Sequence, residues 1–244
     1  MQPPAASPTR RGFTLVELLS VMAVIAVLGS LMLGAVAKTT SQGRRIACVS
    51  NERQIALQTQ LWVIDHGFRF PERSMISHWR STMGFSREKQ DRYLFCPEEL
   101  RRIHPSTKES EAPDPWATSY IMNGFADYHL ESSPAGDPRF GVMPSSTPEA
   151  AILEPSRTIL FGERASDTQR LYVDILPITA TYLAHIEEGR HGSGESHTPK
   201  GRANYVLADA SVHPIAFGKS TCPVNQWAVT ERWRRDAALC IPRF

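Results

Sequence analysis

The stretch His191-Gly192-Ser193-Gly194-Glu195-Ser196-His197, with Asp209 and His213 downstream, gathers more acid–base and metal-ligating side chains than any other part of the chain. Imidazole nitrogens and carboxylates suit zinc, and the carboxylates suit calcium, so His191, Glu195, His197 and Asp209 are the candidate ligands of such an ion. A plainer reading needs no cofactor: a polar, glycine-rich loop ahead of a hairpin. Ser193 lies between Gly192 and Gly194 without the Gly-x-Ser-x-Gly spacing of a nucleophile elbow. An activated serine would also need a base and an orienting acid placed by the fold. The neighbouring carboxylates Glu98-Glu99 and Glu187-Glu188 would point to opposite faces of a strand, so they are expected to be solvated rather than paired for catalysis. No reaction is defined by these residues, and the chain is expected not to be an enzyme.

Four cysteines, Cys48, Cys96, Cys222 and Cys240, allow two disulfides in an exported domain, with three pairings open. None has the Cys-x-x-Cys spacing of a structural zinc site or redox dithiol. The 27 Lys and Arg nearly balance 25 Asp and Glu, a net charge of +2 over 244 residues. Without a run of like charge, nucleic acid is not indicated as a partner.

The elements that must position these groups begin with an unusual N-terminus. Residues 1–12 are polar and end in Arg10, Arg11 and Gly12 without an acidic group. From Phe13 to Ala37 every residue is apolar or small except Glu17 and the hydroxyls of Thr14, Ser20 and Ser30. As a helix this run is about 37 Å long, against a bilayer core of about 30 Å. A cleaved secretory signal would be shorter and would lack the carboxylate, although Ala35-Val36-Ala37 has the small residues of a cleavage site. A passive anchor leaves Glu17 unexplained, since a charge in the membrane costs on the order of 2.5–3.5 kcal/mol.

Gly12-Phe13-Thr14-Leu15-Val16-Glu17, preceded by Arg10 and Arg11 and followed by the apolar run, resembles the type IV prepilin and pseudopilin family. The resemblance implies cleavage after Gly12 by a prepilin peptidase, methylation of the new N-terminal Phe13, and a leader that stays cytoplasmic while the remainder lies outside. Charge alone leaves orientation open, because Lys38, Arg44 and Arg45 flank the other end of the apolar run. In a helix Glu17 stands one turn from the α-amine that cleavage creates. A neighbouring subunit's amine would offset the burial of that carboxylate, making Glu17 an assembly residue.

Beyond Ala37 the pattern becomes amphipathic, with Ile46, Val49, Leu57, Leu61 and Ile64 near one face that is expected to dock on the head. The helix should stop near Gly67, before Pro71. The organisation expected is therefore a leader at 1–12, a transmembrane and assembly helix at 13–37, its amphipathic continuation at 38–66, and an extracytoplasmic head at 67–244. With 18 Pro and 15 Gly, the head should be loop-rich, with strands near 119–122, 158–161, 171–176, 204–207 and 211–215, the last two forming a hairpin. Two segments, 104–115 and 132–148, read as loops. The class is α+β: a long helix packed on an antiparallel sheet, pilin-like.

A second resemblance is to a large-headed subgroup of pilin-like proteins. It rests on Arg44-Arg45-Ile46-Ala47-Cys48 with Asn51, Phe95-Cys96-Pro97, Ser119-Tyr120-Ile121-Met122-Asn123, Glu154-Pro155-Ser156-Arg157-Thr158, and Arg190-His191-Gly192 leading to Ala203-Asn204-Tyr205-Val206-Leu207-Ala208-Asp209. The subgroup carries Asp-Gly where this chain has Asp209-Ala210, which leaves the turn type open. Cys48 and Cys96 both fall in matching pieces, so the resemblance favours joining them, with Cys222 and Cys240 clamping the C-terminal segment.

These readings imply a subunit of a type IV pilus or type II secretion pseudopilus, whose partners are the prepilin peptidase, identical or related subunits and the inner membrane. The alternative is an anchored extracytoplasmic binding or enzymatic domain that uses the pilin signal only for export.

Overall fold

A computed structural model of the chain describes residues 14–74, 78–85, 92–103, 118–132, 146–174, 180–192 and 201–240. Two compact units are present, Met1–Gly43 and Arg44–Phe244. The first is the N-terminal part of helix α1, Leu15–Asp65, 51 residues long. Its apolar stretch is long enough to cross a membrane, and none of it is buried within the protein. The helix ends where Gly67 takes φ +68°. There the Phe68 N–H donates to the Val63 carbonyl at 2.9 Å, the six-to-one bond of a Schellman cap.

The second unit contains the rest of α1 and a five-stranded sheet. Its strands are β1 Tyr120–Asn123, β2 Ile159–Glu163, β3 Tyr172–Val173, β4 Arg202–Leu207 and β5 Val212–Ala216. Their order is β3-β1-β2-β4-β5, antiparallel throughout except for the parallel β1–β3 pair. Short helices α2 Trp79–Thr82 and α3 Pro97–Ile103 precede the strands, α4 Ala126–Ser132 lies between β1 and β2, and α5 Glu231–Arg234 follows β5. The α+β class expected from the sequence is what forms. Of the strand expected at 171–176, Tyr172–Val173 forms, and residues 175 and 176 lie outside the described residues.

Both faces of the sheet are covered, which is why β1 and β2 are buried along their whole length rather than alternating. Tyr120 and Met122 pack in one cluster with Cys48, Ile55 and Val63 of α1. Ile121 and Tyr205 belong to the other, with Trp227 and Trp233. A register irregularity in β2 between Ile159 and Phe161 puts consecutive Leu160 and Phe161 into the first cluster, as a bulge does.

The docking face of α1 differs from the one expected. Ile46, Leu57, Leu61 and Ile64 are 57–63% exposed, and Val49 is half-buried. The buried stripe is Cys48, Glu52, Ile55, Ala56, Thr59 and Val63. Both stripes satisfy helical spacing, and apolarity alone picks the wrong one because the buried stripe carries Glu52 and Thr59.

The β4–β5 hairpin forms. The Ala210 N–H donates to the Leu207 carbonyl at 3.0 Å, and Ala210 takes φ +66°. This is a type I turn followed by a left-handed residue, with alanine at the position that glycine usually holds. A disulfide joins Cys222 to Cys240, enclosing the segment that carries the buried Trp227 and Trp233.

Candidate functional site

The N-terminal segment and a buried polar centre in the head unit hold the candidate functional residues. At the start of α1 the Thr14 N–H and hydroxyl both donate to Glu17 Oε2, at 2.8 and 2.7 Å. The Glu17 N–H donates back to the Thr14 hydroxyl at 3.3 Å. This reciprocal pair is a capping box. The Thr-x-x-Glu spacing of Thr14 and Glu17 is a local signal for it in the sequence. Glu17 thus has an intramolecular partner, from which a neighbouring subunit's amine would have to draw it. Arg10, Arg11, Gly12 and Phe13 lie outside the described residues.

In the head, four chain segments converge. Cys48 comes from α1 and Cys96 from the residue before α3, while Glu163 ends β2 and His191 bridges to Arg202 of β4. Position 191 is fixed by two backbone bonds of 2.8 Å with Arg202. A Cβ at Gly201 would stand 2.5 Å from the Gly189 Cα, so the two chains approach this closely only with glycine. Cys96 is set by its N–H donating to the Ser119 hydroxyl at 2.8 Å. Asn51 of α1 donates to the adjacent Phe95 carbonyl at 2.9 Å.

The four side chains are all buried, and their ligand atoms lie within 4.8 Å of one another. Glu163 Oε1 accepts from Cys48 Sγ at 3.2 Å and stands 2.7 Å from His191 Nε2. Cys96 Sγ is 3.8 Å from His191 Nε2, and the Tyr120 hydroxyl is 3.4 Å from Cys48 Sγ.

Burial acts to raise the Cys96 thiol, but hydrogen bonds from Cys48 and His191 and the Arg190 charge outweigh it and bring it to about 6. Burial keeps the Cys48 thiol well above its ordinary value. For His191, burial acts downward, and the Glu163 charge with the Cys96 contact overcomes it, raising the imidazole to about 10. The shifts favour the charged form of Cys96 and of His191 and the neutral form of Cys48.

Arg190 lies beneath this centre, donating to Glu99 at 2.8 Å, with its Nε 3.8 Å from Glu163 Oε2. Glu98 pairs with Arg44 at 2.5 Å. Glu188 accepts from the Ser220 hydroxyl at 2.6 Å, and Glu187 accepts from the Gly189 N–H at 3.0 Å. All four carboxylates expected to be solvated are buried: arginines and a hydroxyl from distant segments meet Glu98, Glu99 and Glu188, and the nearby Gly189 N–H meets Glu187.

Of the four ligands suggested by the sequence, His191 and Asp209 are among the described residues, and of these two His191 joins the centre. Asp209 is exposed and accepts from the Ser211 N–H and hydroxyl within its own turn. Glu195 and His197 lie outside the described residues. Cys48 and Cys96 are free cysteines, so the disulfide favoured between them is not formed; the sulfurs lie beside each other, Cys48 also contacting Glu163 and Tyr120 and Cys96 contacting His191. The role of Glu163 had no local signal in the sequence, since it ends an apolar strand. The cysteines at 48 and 96 were legible only as a pair.

Comparison with protein families matches residues 8–33 to the prokaryotic N-terminal methylation motif. The match includes Gly12, Phe13, Thr14 and Glu17, and it supports a type IV pilin-like N-terminal segment of the kind processed by prepilin peptidase. Comparison with curated proteins and with solved structures gave no match.

Proposed function

We propose that the chain is a structural subunit of a type IV pilus or type II secretion pseudopilus, cut after Gly12 and assembled through α1. The observation that carries this reading is the processing motif from Gly12 to Glu17 leading into a helix with an exposed apolar surface. Residues Leu15 to Leu33 offer large apolar side chains to lipid or to the same segment of other subunits. Farther along the helix, Leu57, Leu61 and Ile64 continue an exposed apolar stripe, which suits side-by-side packing of subunits. The head would face the periplasm or the outside, with the basic leader on the cytoplasmic side. The role is structural rather than catalytic.

The reading is tested by mass spectrometry of the mature protein together with a Glu17→Ala variant. The expected mature chain starts at an N-methylated Phe13. E17A should be processed normally yet be missing from the sheared filament or pseudopilus fraction. A mature chain beginning at Lys38, or E17A subunits that assemble like the parent, would overturn it, the second result favouring an anchored domain that uses the signal only for export.

A further inference from the structure

We propose that Cys48, Cys96, Glu163 and His191 form a structural zinc site, and that the ion fastens α1 to the sheet of the head unit. The inference stands whether or not the chain assembles into a filament.

Two thiolates, an imidazole and a carboxylate are a ligand set that zinc takes readily, whereas calcium and magnesium prefer oxygen alone. With Zn–S near 2.3 Å and Zn–N or Zn–O near 2.0 Å, tetrahedral geometry puts ligand atoms about 3.3–3.8 Å apart. The 3.8 Å edge between Cys96 Sγ and His191 Nε2 is already of that size, and the 3.2 Å edge between Cys48 Sγ and Glu163 Oε1 falls just below it. The 2.7 Å edge between His191 Nε2 and Glu163 Oε1 is the one that has to open, by about 0.6 Å. Rotation of a carboxylate supplies such a movement. All four ligands are buried, which fits a closed structural site better than a catalytic one that keeps a position open for water.

A second observation points the same way. Both carboxylate oxygens of Glu52, one turn beyond Cys48 on α1, are buried without a hydrogen-bond partner among the described residues, and so is Glu163 Oε2. Buried polar atoms are seldom left unmatched, and here they stand beside two thiols as an excess of electron-pair donors. A divalent cation held by the four ligands puts positive charge beside these donors. Two thiolates and Glu163 carry one negative charge more than zinc neutralises, and Arg190, shared between Glu99 and Glu163, lies beside that charge, its Nε 3.8 Å from Glu163 Oε2. Coordination displaces the proton of each remaining thiol and of the ligating imidazole nitrogen to solvent, leaving both sulfurs as thiolates and His191 neutral.

The ligands come from α1, from the turn before α3, from the end of β2 and from the segment beside β4. One ion there would cross-link elements that are far apart in sequence, the role a Cys48–Cys96 disulfide would otherwise have filled.

The test uses the full-length processed protein in detergent, purified without chelator, with metal measured by mass spectrometry. About one zinc per chain is expected, falling at least about tenfold in Cys96→Ser and His191→Gln. Asp209→Asn, in the hairpin turn outside the cluster, should keep its zinc. Should the ligand variants fail to fold, the unmodified protein still decides the matter. Stripped with chelator and loaded with cobalt(II), it should show thiolate-to-cobalt charge transfer and the visible bands of a tetrahedral ion, and zinc should shield Cys48 and Cys96 from alkylation. Protein that holds no zinc when supplied with it and gives no thiolate–cobalt spectrum would overturn the proposal. So would an unreduced peptide map linking Cys48 to Cys96.

Discussion

Gly162 of β2 lies directly against the indole of Trp227: a Cβ on Gly162 would stand 2.8 Å from Trp227 Cη2 and 3.0 Å from Tyr205 Cε1. Trp227 and Tyr205 are themselves almost completely buried and pack edge to face, so neither ring has free space to retreat into. Gly162→Ala is therefore expected to destabilise the head unit by about 1–3 kcal/mol, the usual cost of overpacking. Urea unfolding followed by tryptophan fluorescence measures it. An unchanged midpoint would mean that the rings can shift.

The hairpin turn predicts a change of the opposite sign. Ala210 holds a left-handed conformation at φ +66°, which costs an L-residue roughly 1–2 kcal/mol. Ala210→Gly removes that cost and adds some unfolded-chain entropy, leaving a net gain of about 0.5–1 kcal/mol. The same unfolding measurement should show a higher midpoint with an unchanged slope.

A pH effect follows from His129 on α4. Burial lowers the pKa of its imidazole from the ordinary 6.5, and the charges of Arg73 and Arg69 lower it further. Below the unfolded value of 6.5 the unfolded state then binds more protons than the folded one, so stability falls as pH drops from 6.5 through the depressed folded value. The neutral ring also meets the Thr147 hydroxyl at 3.0 Å. His129→Gln, which cannot gain charge, should lose less stability than the parent between pH 7 and pH 5. Parallel acid-side losses in parent and variant would assign the pH dependence to another group; His185, lowered chiefly by burial and by Arg170, is the next to test.

Much of the scaffold was legible in order along the chain. The helix stop at Gly67, the hairpin between β4 and β5, and the positions of β1 and β2 all follow from local signals: a left-handed glycine, turn residues, and short apolar runs. The burial of Glu98, Glu99, Glu187 and Glu188 was not legible. Their partners, Arg44, Arg190, Gly189 and Ser220, are for the most part brought to them only by the fold.

The sequence by itself determined the N-terminal methylation motif, because everything in it is local. Gly12, Phe13 and Glu17 lie within a few residues of one another, and even the Thr14–Glu17 capping box spans a single helical turn. Only the tertiary structure decided which face of α1 is covered and which side chains form the buried centre. Cys48, Cys96, Glu163 and His191 come from segments far apart in the sequence. No spacing rule links such positions, since what joins them is the sheet's register and the close crossing at Gly189 and Gly201. The cysteines that composition suggested as a disulfide became half of a four-residue polar centre, because the fold brought a carboxylate and an imidazole to the same place.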